Sequence, residues 1–375
     1  MGAYLLPRLT AAASLLAVTV MAAAHEADVL GLGFSEGTVP VHLMSDGTSK
    51  VIPAERCGQC HEEQYAAWLT SRHRVSHSNA IYQAGLVAEP KTFCVYCHAP
   101  LAEQSREVMA NIDWYAAHDP RNGLPTPGER LPEPTADEGI TCTVCHWRDG
   151  VVLSTVEPTG GAPHPTRRVE GLGSPDLCRS CHEFRMPVFV DGGMTMTDVP
   201  MQSTFTEWQA YADAGGEGTC QSCHMPDGAH TFRGAHDHGL LADSVEVKVR
   251  RARGVVRFEV SSVGVGHHVP TGDLFRNLTL EVAEEDGDFE VIDRMGREFA
   301  VIRDASDGET RKELSGDTSL RPGRPRIVEH EASGRLRWRM RYHYGAEHDE
   351  LRGLVPLQTL IVTLWQGEIR VRAPR

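Results

Sequence analysis

The chain has 375 residues, room for two domains, and a formal charge of −14 from 37 Lys and Arg against 51 Asp and Glu. That acidity argues against nucleic acid as a partner, because nucleic acid is bound chiefly by neutralising phosphates. Ten cysteines are too sparse for a small disulfide scaffold, 6 % aromatics are thin for large conventional cores, and nineteen histidines are unusually many.

In chain order, Arg8 is followed by an apolar run from Leu9 to Ala24 that ends in Ala22-Ala23-Ala24, ahead of His25. A positive start, an apolar run and a small-residue exit predict a cleaved signal peptide over 1–24. The run is shorter than the roughly 20 apolar residues of a spanning helix, and no later stretch is long enough. The expectation is an exported protein, in the periplasm or beyond, with no stable membrane span after cleavage. Export would ordinarily turn ten cysteines into five disulfides. Their placement points elsewhere.

Every cysteine belongs to a C-x-x-C pair followed at once by histidine: Cys57/Cys60/His61, Cys94/Cys97/His98, Cys142/Cys145/His146, Cys178/Cys181/His182 and Cys220/Cys223/His224. Two thiols at this spacing reach the two vinyl groups of a haem, and the adjacent histidine supplies the proximal iron ligand. Zinc sites pair two such units and need no histidine after each, and five is odd. Disulfide exchange calls for a thioredoxin-like setting, which five copies do not suggest. The motifs therefore predict five covalently bound c-type haems. Their spacings of 37, 48, 36 and 42 residues are too uneven for a solenoid. Short helices joined by Gly- and Pro-rich loops, such as Pro120 to Pro134, should carry them.

Electron-transfer haems usually take a second strong axial ligand, so histidines in fixing contexts are candidates. After the first motif, Tyr65, Trp68 and Leu69 share a helical face that could pack on a porphyrin, with His73 leaving the helix end and His77 as its substitute. His164 sits stiffly between Pro163 and Pro165. His230 and His236 follow the fifth motif, with His238 held in reserve; His118, after Trp114-Tyr115, has only a loop context. His25, His42, His330, His343 and His348 have no such support.

The run from Tyr65 to His73, Gly139-Ile-Thr-Cys142, and Cys178 through Pro187 resemble the exported multihaem cytochromes of the cytochrome c-554-like superfamily. So do Phe205-Thr-Glu207-Trp208, the fifth motif with Met225-Pro226, and His230 to His236. The resemblance covers about residues 55–240 and implies closely stacked haems, mostly with two histidine ligands, in electron transfer or nitrogen-compound redox roles. One departure is that the Trp208 segment has no histidine where Trp68 has His73, so that helix should pack on a haem without ligating it.

Beyond about residue 240 alternation begins. Segments starting at Val245, Val255, Leu278, Leu336 and Leu360 read as strands, and the absence of helical crossovers predicts an antiparallel sandwich. The expected architecture is mixed: a mainly short-helix-and-loop multihaem cytochrome c domain over 25–240, then an all-β antiparallel sandwich over 241–375. The sandwich has 22 basic and 23 acidic residues, against 14 and 28 over 25–240. Within it, Gly266-His267-His268-Val-Pro270-Thr271-Gly272 resembles a G-H-x-x-P-T-G turn in the C-terminal domains of the same multihaem proteins. That likeness implies that His267, with His268 as alternate, reaches back to a haem iron.

Electron transfer between other redox proteins is the expected function, with a basic docking face on the partner to suit the acidic haem domain. Two further readings stay open. One is an oxidoreductase of small nitrogen or sulfur compounds at a haem with an open sixth position, for which the His98 haem has the least obvious partner. The other is a link in a larger electron conduit or haem filament. No catalytic residue stands out.

Overall fold

The computed structural model describes residues 51–119, 122–124, 128–148, 150–158, 160–190, 193–303, 310–345 and 354–372. The predicted signal peptide, His25, His42 and His348 lie outside the described residues. Among those described, no helix is long and apolar enough to cross a membrane.

Short helices dominate the first part: α1 (Ala54–Gly58), α2 (Glu62–Leu69), α3 (Ala80–Ala88), α4 (Thr92–His98), α5 (Ala102–Ala110), α6 (Ile112–Ala117), α7 (Cys142–His146), α8 (Asp176–His182), α9 (Thr204–Asp213), α10 (Cys220–His224) and α11 (His238–Asp243). Most are far shorter than an isolated helix needs to hold itself, so packing must stabilise them. Tyr82, Leu86, Val95, Val108 and Tyr115 form one small core, Leu101, Leu153 and Leu172 another.

This part also holds strands that the helix-and-loop expectation did not include. β1 (Trp147–Arg148), β2 (Val151–Ser154) and β3 (Thr166–Arg168) make a small sheet. β4 (Glu183–Val190) and β5 (Gly193–Ser203) form a hairpin, with register breaks beside Arg185 and Pro187. Pro187 and Pro200 have no N–H to give a ladder, and such residues belong at bulges and edges.

The expected strands follow as β6 (Val245–Ala252), β7 (Val255–Ser262) and β8 (Asn277–Glu284); then come β9 (Glu290–Arg303), β10 (Thr310–Asp317) and β11 (Arg326–Glu331), which were not expected, the expected β12 (Gly334–His343) and, after the short α12 (Leu357–Leu360), the expected β13 (Ile361–Val371). A five-stranded sheet, β10-β9-β8-β12-β13, faces a three-stranded one, β11-β7-β6, and all named pairings are antiparallel. Alternate residues meet between them: Val256, Phe258 and Val260 from β7, Leu278, Leu280 and Val282 from β8, Leu336 and Met340 from β12, all at most 1 % exposed. Burying one such side chain stabilises by about 1.5–3 kcal/mol before entropy is counted.

The two parts are not separate bodies. Leu241 of α11 and Ala235 join the sandwich core, while Leu354, Val355 and Leu360 join the core built on α3 and α6.

Candidate haem centres

Each motif is wound into about one helical turn. In α4, α7, α8 and α10 the final residue is the motif histidine. The first motif straddles the end of α1, yet His61 N still donates to Cys57 O at 3.0 Å, closing the same turn. Residues three apart share a helix face, so both thiols of a pair project together with the imidazole beside them. None of the ten cysteines forms a disulfide.

The motifs converge although their order in space differs from their order in sequence. The thiol of Cys57 lies beside that of Cys142, Cys97 beside Cys181, and Cys178 beside Cys220. Cys145 stands within electrostatic reach of Cys181 and Cys178. The first motif thus adjoins the third, the third adjoins the fourth, and the second and fifth both adjoin the fourth.

Cys60 and Cys223, expected as haem tethers on the same footing as the other eight cysteines, depart from them. Both are exposed, whereas the other eight are half-buried. Each is the second thiol of a motif whose first thiol turns inward, Cys57 to Cys142 and Cys220 to Cys178. The far end of that helical turn is left facing outward, and Cys223 Sγ has Ser222 Oγ beside it at 3.9 Å. The polypeptide alone therefore does not enclose these two thiols. Their assignment as tethers rests on the motif spacing and not on burial.

Four motif histidines face a second histidine from elsewhere. His61 faces His164 with ring centres 6.4 Å apart, His182 faces His73 at 6.5 Å, His146 faces His230 at 6.1 Å, and His224 faces His267 at 6.1 Å. These gaps are too wide for ring stacking. A metal–imidazole bond is about 2 Å long, so two such bonds and two half-rings span about 6 Å. Four pairs at this separation, each beside two thiols, fit a tethered haem iron held by two imidazoles.

Hydrogen bonds orient the rings for that use. His98 Nδ1 lies 2.7 Å from Ser76 O, His146 Nδ1 2.9 Å from Leu153 O, and His224 Nδ1 bonds Arg233 O. On the facing side, His230 Nδ1 is 2.8 Å from Gly228 O and His267 Nδ1 2.8 Å from His268 O. A carbonyl only accepts, so Nδ1 carries a proton in all five, which leaves Nε2 as the nitrogen that a metal could take. Burial pushes His73 down to about 3 and His98, His182 and His267 to about 4, and the neighbouring imidazoles of His182 and His224 add to the effect at His73. These imidazoles are neutral near pH 7, the form that ligates metal.

The remaining candidates have other neighbours. His77 is fully buried with Nε2 2.7 Å from Glu133 and Nδ1 without a hydrogen-bond partner among the described residues, and His118 Nε2 is 2.9 Å from Gly123 O. His268 sits beside Glu207 and Asp317. His236, expected as a tenth ligand, stacks on Tyr344 at 4.3 Å and 12°, with His238 6.4 Å from the same ring. His98 has no facing imidazole among the described residues; Tyr82 stacks on it at 4.0 Å.

Long-range contacts hold the facing histidines. Trp68 Nε1 donates to Ile140 O at 2.8 Å, and Ile140 N donates to His73 O at 2.9 Å, which locks the turn after α2 onto the third motif. Trp68 is buried as expected, whereas Leu69 is 45 % exposed. The turn bearing His267 is pinned to α9: Glu207 accepts from His268 N at 3.2 Å and from Thr271 Oγ1 at 2.6 Å. Trp208 itself donates to Gly218 O at 3.1 Å. Sequence reasoning missed Glu207; its signal was a carboxylate between Phe205 and Trp208 on a helix with no histidine of its own.

Residues 50–237 match the family described as outer membrane cytochrome MtrC/MtrF-like, domains II/IV. No curated protein matches the chain. Among solved structures, the penta-haem cytochrome c552 from Thermochromatium tepidum is similar in fold, with 19 % identity, 85 % of this chain and 99 % of that one covered, and a TM-score of 0.61. A superoxide reductase (neelaredoxin) from Archaeoglobus fulgidus, in its reduced form, has 18 % identity over 34 % of this chain and 88 % of its own; its TM-score of 0.18 carries no argument. The family match spans half of the chain and contains all five motifs, so the chain belongs to the outer membrane cytochrome MtrC/MtrF-like family, domains II/IV, and is a multihaem c-type cytochrome of electron transfer.

Proposed function

We propose that the chain carries five covalently bound c-type haems and passes electrons between redox partners outside the cytoplasm. Four irons take two histidines each: His61 with His164, His73 with His182, His146 with His230, and His224 with His267. The observation that carries this is the set of four ring pairs at 6.1–6.5 Å, each joining a motif histidine to a non-motif one. Bound haem supplies the reversible one-electron chemistry. The chain's own residues tether it and fix the two imidazoles.

The packing of motif against motif supports a continuous electron path from the first through the third to the fourth, with the second and fifth joined to the fourth. On this reading residues 25–240 bear the haems and 241–375 are a sandwich that completes the fifth site through His267. Residues 1–24 act as an export signal, with the periplasm as the destination. The acid excess of the haem-bearing part suits a partner with a basic docking face, and salt should weaken that encounter.

The test combines peptide mass mapping with potentiometric titration of the purified full chain. Haem on all five Cys-x-x-Cys-His peptides, including those with the exposed Cys60 and Cys223, is expected, reduced and reoxidised reversibly in several steps. A motif peptide recovered with two unmodified thiols, or haems that do not exchange electrons with one another, contradicts the reading.

A further inference from the structure

The acid excess of the chain lies in residues 25–240, with 14 basic against 28 acidic side chains, while the sandwich is close to balance. Within the sandwich the charge is again uneven. The β6–β7 hairpin closes on a two-residue turn, Arg253-Gly254, with Gly254 at φ +72°. Arg250, Arg251 and Arg253 crowd that tip, and the end of β13 brings Arg370 and Arg372 to it. Arg251 Nη1 donates to Arg370 O at 3.1 Å, and Gly254 N donates to Arg372 O at 2.9 Å. All five arginines are exposed, and none is in an ion pair among the described residues.

Folding does not account for this cluster. Arg250 stands directly across from Arg257 in the β6–β7 ladder, and like charges opposite one another destabilise a sheet. The acids nearby are engaged with other arginines: Glu329 with Arg257 at 3.4 Å, and Asp286 and Glu368 with Arg335 at 3.0 and 2.9 Å. Glu368 also lies within electrostatic reach of Arg370, but its hydrogen bond goes to Arg335. The acidic connection between β8 and β9, with Glu284, Glu285 and Asp288, is on the far side of β12 from β13.

The corner is also the end of the sandwich away from the haem centres. β7 starts at the Arg253-Gly254 turn and ends at Ser262, from which the chain runs to the turn bearing His267. Eight residues at about 3.3 Å each put roughly 25 Å between those two ends. A redox partner seated on the arginines would be at the wrong end to meet the His267 site, so electron exchange gives the corner no role.

We propose that the corner formed by Arg250, Arg251, Arg253, Arg370 and Arg372 docks the protein on a membrane surface through anionic phosphate headgroups. Guanidinium suits this task, because its planar fork pairs bidentately with phosphate oxygens and keeps its charge at any physiological pH. Two observations favour a membrane over an acidic protein. Among the described residues, none of the large exposed apolar side chains belongs to the hairpin tip or to the end of β13. A protein interface draws on such anchors, whereas attraction to headgroups needs only charge. The second observation is the polarity of the molecule. An anionic surface attracts the corner and repels the acidic haem-bearing part, and both effects fade beyond a screening length of about 8–10 Å. The haem-bearing part is thereby held out in the aqueous phase, where its partners are. The proposal does not depend on how the irons are ligated.

The experiment sediments the full-length, haem-loaded protein with vesicles of phosphatidylcholine alone or of phosphatidylcholine with phosphatidylglycerol, and reads bound protein by haem absorbance. Binding is expected only where phosphatidylglycerol is present, and it falls steeply as salt is added. Replacing Arg250, Arg251 and Arg253 together by Gln lowers the partition coefficient by about a hundredfold, about fivefold for each arginine. Replacing Arg370 and Arg372 by Gln lowers it by about thirtyfold on the same basis, with melting temperature and haem spectrum unchanged in both variants. A control with the exposed Arg106, Arg167 and Arg324 replaced by Gln carries the same net charge as the first variant and keeps its binding. No binding to either vesicle, equal binding to both, or an equal loss in the control overturns the proposal. Undiminished binding in both corner variants does the same. Protein that ignores the vesicles but binds poly-L-glutamate through these arginines would assign the corner to an acidic protein, which also overturns it.

Discussion

The His224 and His267 ring centres are 6.1 Å apart with their planes 8° from parallel, though one ends a haem-motif helix and the other lies in a turn of the sandwich. On the proposed reading the sandwich completes a haem site rather than hanging beside one. Replacing His267 by alanine should convert one haem of five from low-spin to high-spin, read by EPR of the oxidised protein. Its neighbour His268 faces Glu207 and Asp317, so His268→Ala should leave all spin states as they were.

Gly139 makes a second long-range junction. It adopts φ +65°, and a Cβ there would press on His73 O, Ser76 Oγ and, at 2.8 Å, Arg74 O. Gly139→Ala combines backbone strain with a clash against backbone atoms, and should cost about 2–3 kcal/mol. Because the displaced turn carries His73, the fourth-motif haem should lose low-spin character in the same variant. Thermal melting and EPR on one sample check both effects.

His77 supplies the contrast between a structural histidine and a ligand. Its ring is fully buried against Glu133, which also accepts from Asn111 at 2.7 Å and pairs with Arg130 at 2.6 Å. His77→Ala should destabilise the protein by about 3 kcal/mol through the opened network and the cavity, with no change in any haem spectrum. A new high-spin haem in this variant would assign His77 a ligand role instead.

The sandwich should carry its own acid sensitivity. Burial pushes Glu281 up, but hydrogen bonds from Arg339 and Arg341 at 2.6 Å and Thr279 at 2.9 Å outweigh it and hold its pKa below the ordinary 4.5. A depressed carboxylate stabilises the fold fully above its unfolded value, and the contribution is lost as pH falls from about 4.5 through the folded value. The loss is about 1.4 kcal/mol for each pH unit by which the two values differ. Denaturant melts between pH 6 and pH 3 should show it, and Glu281→Gln should be less stable at pH 6 with a flatter profile.

The cofactor was legible in the sequence because its chemistry is local: thiols three apart with a histidine beside them fall on one helical turn. The unequal burial of those thiols was not legible, since Cys60 and Cys223 carry the same motif as the rest and differ in which end of the turn faces outward. Four facing histidines were also legible, since His73, His164, His230 and His267 each sat in a context that restricted the chain. Which motif each one faces was not, because that depends on contacts such as Trp68 to Ile140 and Thr271 to Glu207 that local pattern does not encode. His236 looked equivalent to His230 in sequence; in the fold His230 faces His146, whereas His236 stacks on Tyr344. The β4–β5 hairpin was hidden by Pro187 and Pro200, which break alternation. β9 was hidden by exposed Val291 and Val301, at 49 % and 65 %, beside the buried Met295.

The central claim is that four irons are each held by two named histidines. Near-infrared magnetic circular dichroism of the oxidised full-length protein, normalised to total haem, measures the fraction with two histidine ligands. The account predicts four haems of the five with that signature, falling to three in His73→Ala, His164→Ala, His230→Ala and His267→Ala alike. Fewer than four in the parent protein, or any of these variants leaving the intensity intact, would contradict it.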